Sequence, residues 1–71
     1  MNISAIQRAA NAAGSQSALA RLLDVKPQAV QRWCATGVVP ANRVLDIERA
    51  TNGEVSRNDL RPDLYPIEQA A

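Results

Sequence analysis

The stretch SALARLLDVKPQAVQRW, residues 17–33, constrains this chain more than any other. Two segments with helical apolar spacing meet across a join of a few residues, marked by Asp24 and Lys26-Pro27. Leu19, Leu22 and Leu23 form the apolar stripe of the first. Val30 and Trp33 are three apart in the second and point inward together. Pro27 suits the first position of a helix, where its missing N–H costs nothing. So short a join makes the two helices cross, and Ala20 falls where only a small side chain lets the axes approach. The outward side chains of the second segment are then Gln28, Ala29, Gln31 and Arg32, which a core does not need.

The rest of the chain reads as more short helices. Ile3 to Ala13 carries Ile3, Ile6, Ala10 and Ala13 on one face, with Asn2 to cap it and Gly14 to end it. Ser15 caps the next helix, and Gly37 stops the one that begins at Pro27. In VVPANRVLDIERATNG, Pro40 opens a helix, Val44, Ile47 and Thr51 share its face, and Asn52-Gly53 closes it. Ser56 caps a short turn through Leu60, and Pro62 and Pro66 forbid long regular structure beyond. The expectation is an all-α fold of about five short helices, one domain over residues 1–65 with a tail at 66–71. An α+β alternative makes residues 54–65 a β-hairpin. The expected core is Ile3, Ile6, Leu19, Leu22, Leu23, Val25, Val30, Trp33, Val44, Ile47, Leu60 and Leu64.

Composition excludes several functions. The chain has no His and a single Cys, Cys34, so no internal disulfide forms, a metal cage is nearly excluded and no cofactor is expected. Asp59, Asp63 and Glu68 read as surface solvation, and Cys34 as a half-buried thiol. No nucleophile–base pairing and no glycine-rich phosphate loop is present, which argues against an enzyme. There is no basic-then-apolar leader and no long apolar run, so the expectation is a cytoplasmic protein. The net charge of +1 conceals an uneven distribution. Residues 1–45 carry Arg8, Arg21, Lys26, Arg32 and Arg43 against Asp24, whereas residues 46–71 carry three arginines against six acids. A basic face and an acidic rear suit a polyanionic partner.

From Gln16 to about Ala35 these features fit a helix-turn-helix, with Leu19, Leu23, Val25, Val30 and Trp33 as its inner contacts. Asp24 falls at the turn, where a left-handed backbone is often needed and Gly is the unstrained choice. SQSALARLLDV, VQRW, VVPANRVLDIERATNG and RNDLRPDLY together resemble the phage Cro-type repressors and the related Cro- and antitoxin-like bacterial regulators. The resemblance covers most of the chain. It departs from the family at Asp24, where Gly is usual, and at Lys26-Pro27, which replaces a Ser- or Thr-type cap.

The resemblance implies a DNA-binding repressor with its third helix in the major groove of a double-stranded operator. There Gln can pair with adenine N6 and N7, Arg with guanine O6 and N7, and Ala29 can touch a thymine methyl. Gln28 and Arg32 are the leading base-reading candidates, followed by Gln31 and Ala29. Gln16, Ser17, Lys26, Asn42 and Arg43 lie at helix starts and are the phosphate-binding candidates. Trp33 belongs to the core and is not a base-stacking group, and Arg43 and Arg49 are both candidate partners of Asp46, with Arg49, three residues on, preferred. A chain this small implies two copies on a palindromic site, a weak homodimer completed on DNA, with Leu45, Val55, Leu64 and Tyr65 as interface candidates. The competing reading is an antitoxin or adaptor that works mainly through a protein partner.

Overall fold

Ser4 opens the first helix: its Oγ accepts the N–H of Gln7 at 3.2 Å. The Asn2 cap lies outside the described residues, which in this computed structural model are 3–66. Among them the chain forms α1 (Ala5–Ala13), α2 (Gln16–Leu23), α3 (Pro27–Thr36), a 3-10 turn (Ala41–Arg43), α4 (Val44–Ala50) and α5 (Arg57–Leu60). No strand occurs among the described residues, so the all-α expectation holds and the C-terminal β-hairpin does not.

The α2–α3 junction shows why the sequence turns there. Val25 donates its N–H to the carbonyl of Ala20 at 3.0 Å, and Asp24 donates to that of Arg21 at 3.2 Å. This nested pair is a Schellman closure. It requires Asp24 to be left-handed, and its φ of 57° and ψ of 45° meet that requirement. A β-carbon there is strained by about 1 kcal/mol, whereas glycine is not. Asp24→Gly is therefore expected to raise stability by about 0.5–1 kcal/mol in urea denaturation, and Asp24→Val to lower it. The left-handed Gly37 ends α3, donating to the carbonyl of Trp33 at 2.7 Å.

The core is built from Ile6, Ala9, Ala10, Leu19, Ala20, Leu23, Val30, Trp33, Val39, Val44, Ile47, Val55 and Leu60. Ala20 is 1% exposed, as the helix crossing requires. Four expected core residues lie outside it. Ile3 precedes the cap of α1, and Leu22 faces away from the stripe centred on Leu19, Ala20 and Leu23; they are 54% and 59% exposed. Leu64 lies beyond α5 and is also exposed, while Val25 is half-buried. Val39 and Val55, each in a connecting segment, are buried in the core although periodicity does not mark them. Thr51 is buried, but its hydroxyl donates to the carbonyls of Ile47 and Glu48 and accepts from Val55 N–H. No buried side-chain polar atom among the described residues lacks a partner.

Residues 54–65 are drawn into the helical fold by side chains. Ser56 and Asp59 form a reciprocal capping box around α5. Glu48 of α4 accepts the backbone N–H of Arg57 at 2.8 Å and its guanidinium at 2.9 Å. Arg8 of α1 pairs with Asp59 at 3.0 Å, and Asn58 donates to the carbonyl of Tyr65. A β-hairpin would break these contacts and pull Val55 from the core.

The Arg57 guanidinium beside Glu48, with the Arg57 N–H, holds the Glu48 carboxyl below its ordinary value of 4.5. A lowered pKa in the folded state means the pairing stabilises the fold fully above pH about 4.5 and is lost as pH falls through the depressed value. The expected result is that thermal stability falls below pH about 4.5. The fall should be shallower in Glu48→Gln, measured by circular dichroism.

Candidate nucleic-acid interface

On α3 the apolar spacing does what it predicts: Val30 and Trp33 are buried at 0% and 7%, and Gln28, Gln31 and Arg32 project into solvent. Ala29 differs. It is half-buried and packs against the core, so its methyl presents little surface to a base. The outward row is carried on an unbroken ten-residue helix whose last turn is tied down. There Thr36 Oγ1 donates to the carbonyl of Arg32 at 3.1 Å and accepts from Val38 N–H at 3.2 Å.

The phosphate-binding candidates surround this row. Lys26 occupies the cap position of α3 and is exposed, and no side chain caps that helix. Pro27 has no N–H and that of Ala29 goes to the Lys26 carbonyl at 2.9 Å, which leaves the Gln28 N–H of the first turn to meet an external acceptor. At the start of α2, Ser17 is exposed and Gln16 half-buried, while Ser15 accepts the N–H of Ala18. Asn42 is exposed in the 3-10 turn before α4. Arg43 beside it is partly covered and lies 3.9 Å from Asp46. Of its two candidate partners Asp46 reaches Arg43 and not the preferred Arg49, because helical side chains lean toward the N-terminus.

The charge distribution sharpens the picture. Arg8, Arg43, Arg57 and Arg61 all have acidic partners. Among the described residues Arg21, Lys26, Arg32 and Arg49 have none within ion-pair distance. Three of these four lie on α2, at the cap of α3 and on α3 itself. Arg21 is absent from the sequence-derived contacts because it sits in the last turn of α2, away from the helix starts that favour an anion. Its exposure and lack of a partner add it to the basic surface.

The other chemical possibilities are weaker. Burial pushes the Cys34 thiol up, against a hydrogen bond with Gln16 that pulls it down, so the group remains a thiol and not a reactive thiolate. No group of three potential metal ligands occurs among the described residues. No helix among them is long and apolar enough to cross a membrane. An open groove of about 430 Å³ is lined by Leu22, Leu23, Asp46, Arg49 and Ala50 and includes no residue of α3.

Of the interface candidates, Val55 is 2% exposed and has no surface to offer a second chain. Tyr65 is half-buried, packed on the core with the Arg57 guanidinium 5.8 Å above its ring. Leu45 and Leu64 remain exposed, at 36% and 45%.

Known proteins share both the sequence and the backbone. Residues 6–69 match the family described as Bacterial toxin YdaS. A 53-residue stretch is 55% identical to an Escherichia coli K12 protein named "Putative transcriptional regulator YdaS". That match covers 72% of this chain, which spans about half the length of that relative (53%). Among solved structures, the Cro protein of the Xfaso 1 prophage element of Xylella fastidiosa strain Ann-1 is 50% identical, with a TM-score of 0.87. The alignment covers 90% of this chain and 98% of that one. A hybrid of Xfaso 1 and Pfl 6, described as two Cro proteins with different folds, is 47% identical over the same shares, with a TM-score of 0.63. The matched family model spans nearly all of the described helices, and the Cro protein shares their arrangement: this chain belongs to the Bacterial toxin YdaS family and, with it, to the Cro-like regulators.

Proposed function

We propose that the chain is a sequence-specific double-stranded DNA-binding regulator, a Cro-like repressor that lays α3 in the major groove of an operator and excludes polymerase. One observation carries the reading. Gln28, Gln31 and Arg32 form an exposed polar row on a helix whose opposite face is anchored in the core. Their donors and acceptors match base edges, for roughly 1–3 kcal/mol of discrimination per bidentate contact. Lys26, Arg21 and the start of α2 supply sequence-independent attraction to phosphate. The operator is read as palindromic, with half-sites about 34 Å apart facing two copies of the chain. Such a regulator works where bacterial DNA is, in the cytoplasm of a bacterial cell or an infected host.

The test is a salt titration of binding to mixed-sequence duplex. A log–log slope of about −4 or steeper is expected, from several phosphate contacts. Lys26→Ala should weaken all sequences alike and make the slope shallower by about one. A slope near zero in the wild type would favour the second reading, an antitoxin or adaptor module whose main partner is a protein. The relative's name and the Cro neighbours support the first.

A further inference from the structure

We propose that Arg61 is a positioning residue for the DNA contact at Asn42, a strut from the C-terminal segment to the loop that follows α3; this deepens the reading of a DNA-binding regulator and rests on it. None of the base or phosphate candidates lies in RNDLRPDLY, yet its second arginine reaches back 22 residues along the chain. Arg61 Nη1 donates to the carbonyl of Val39 at 2.6 Å. Its Nε and Nη2 donate to the two carboxylate oxygens of Asp63 at 3.0 and 2.9 Å. That fork fixes the plane of the guanidinium and aims its remaining edge at Val39. The Arg61 backbone is held as well. Its N–H donates to the Arg57 carbonyl at 2.9 Å, and its own carbonyl accepts from Leu64 and Tyr65 N–H at 3.0 and 2.8 Å. Arg57 and Asp59 in turn tie α5 to Glu48 of α4 and Arg8 of α1, so the strut stands on a fixed base.

Its far end is where the chain leaves the reading helix. Gly37 ends α3, and Pro40 opens the 3-10 turn that carries Asn42 and Arg43. Val39 precedes a proline, which disfavours helical backbone, and its carbonyl falls outside both helical ladders. No backbone N–H among the described residues reaches that carbonyl. Burial holds the Val39 side chain, and Arg61 holds its peptide plane. Together they set the direction in which the chain enters Pro40, and so where Asn42 stands relative to Gln28, Gln31 and Arg32. The charge of Arg61 is met by Asp63, so Arg61 acts on DNA through Asn42 and not as a phosphate contact of its own.

A double-mutant cycle tests this on a duplex selected for binding from a random pool. Arg61→Ala and Asn42→Ala are each expected to weaken binding about three- to tenfold for every sequence alike, with base preference and salt slope unchanged. The double variant should bind no more than about twofold weaker than the weaker single variant, because both changes remove one contact. Ethylation interference should lose the same phosphate of each half-site in both. Losses that multiply in the double variant overturn the proposal, as does Asn42→Ala binding like wild type. So does a slope shallower by about one in Arg61→Ala, the mark of a direct phosphate contact. Amide exchange of the free protein judges the strut apart from the DNA reading. The Arg43 N–H, bonded to the Pro40 carbonyl at 2.9 Å, should exchange at least about tenfold faster in Arg61→Ala, with the α3 amides unchanged. Unchanged Arg43 exchange overturns the strut. Faster exchange in a protein that binds no duplex supports the strut and sinks the DNA reading. If Arg61→Ala is unfolded by circular dichroism, Arg61→Lys replaces it, keeping the charge and losing the fork. It is expected to show the same pattern at reduced size, and behaviour like wild type in both assays overturns the proposal.

Discussion

Arg32→Ala is expected to erase the preference for one base pair in each half-site while leaving the fold intact. Arg32 is exposed and has no acidic partner among the described residues, so its removal breaks no internal ion pair. The bond from Thr36 Oγ1 goes to the Arg32 backbone carbonyl and survives the substitution. Alanine is also the best helix former, so α3 should not loosen. What disappears is a bidentate donor fork, worth about 1–3 kcal/mol, or roughly five- to 150-fold, against the wrong base. Competition binding against every single-base variant of the site would show the loss concentrated at one position. An unchanged profile would remove Arg32 from the reading set. Gln28→Ala should give the same kind of loss at a different position.

Trp33→Ala is expected to unfold the domain. Trp33 is 7% exposed and sits with Val30 on the face of α3 that enters the core. Truncating a buried aromatic to alanine costs about 3–5 kcal/mol, from lost apolar burial and the cavity left behind. A domain of 71 residues has little to spare, because small chains bury a small fraction of their surface and stand only a few kcal/mol above unfolding. Thermal melts followed by circular dichroism should show the transition moving to or below room temperature. Trp33→Phe, which keeps most of the apolar volume, should recover much of the loss. Binding should vanish in Trp33→Ala together with the helical signal, whereas in Arg32→Ala selectivity goes and the signal stays. A folded Trp33→Ala would contradict the core assignment.

The contrast between Arg32 and Trp33, neighbours in sequence with one exposed and the other buried, was legible from spacing alone. Val30 and Trp33 at an interval of three define an inner face, and the polar residues between them have to point out. The α2–α3 junction was legible for a similar reason: Ala20, Asp24 and Pro27 each satisfy a geometric need at a known place in a short turn. Helix starts were harder. Ser4 and Asn2 are both competent caps by residue type; α1 takes Ser4, with Ile6, Ala9 and Ala10 buried behind it.

The C-terminal half was the least legible because long-range side-chain contacts determine it. Val55 lies in a segment whose local propensity permits a strand, and it becomes core once Glu48 holds Arg57 and Ser56 caps α5. Val39 is hidden in the same way, in a loop that periodicity does not describe. Local pattern also cannot separate Val55 from Leu64 as surface residues, since each stands in an irregular segment, yet one is buried and the other exposed.

On the proposed reading, the outward row of α3 meets base edges in the major groove. Methylation interference tests it most directly, on a duplex chosen by repeated binding selection from a random pool. Dimethyl sulfate places a methyl on guanine N7 in the major groove and on adenine N3 in the minor groove. Methylation of guanine N7 at symmetry-related positions is expected to block binding and adenine N3 methylation there to leave it intact, with the block at one guanine pair absent in Arg32→Ala. Interference confined to the minor groove, or none at any base, would contradict that reading.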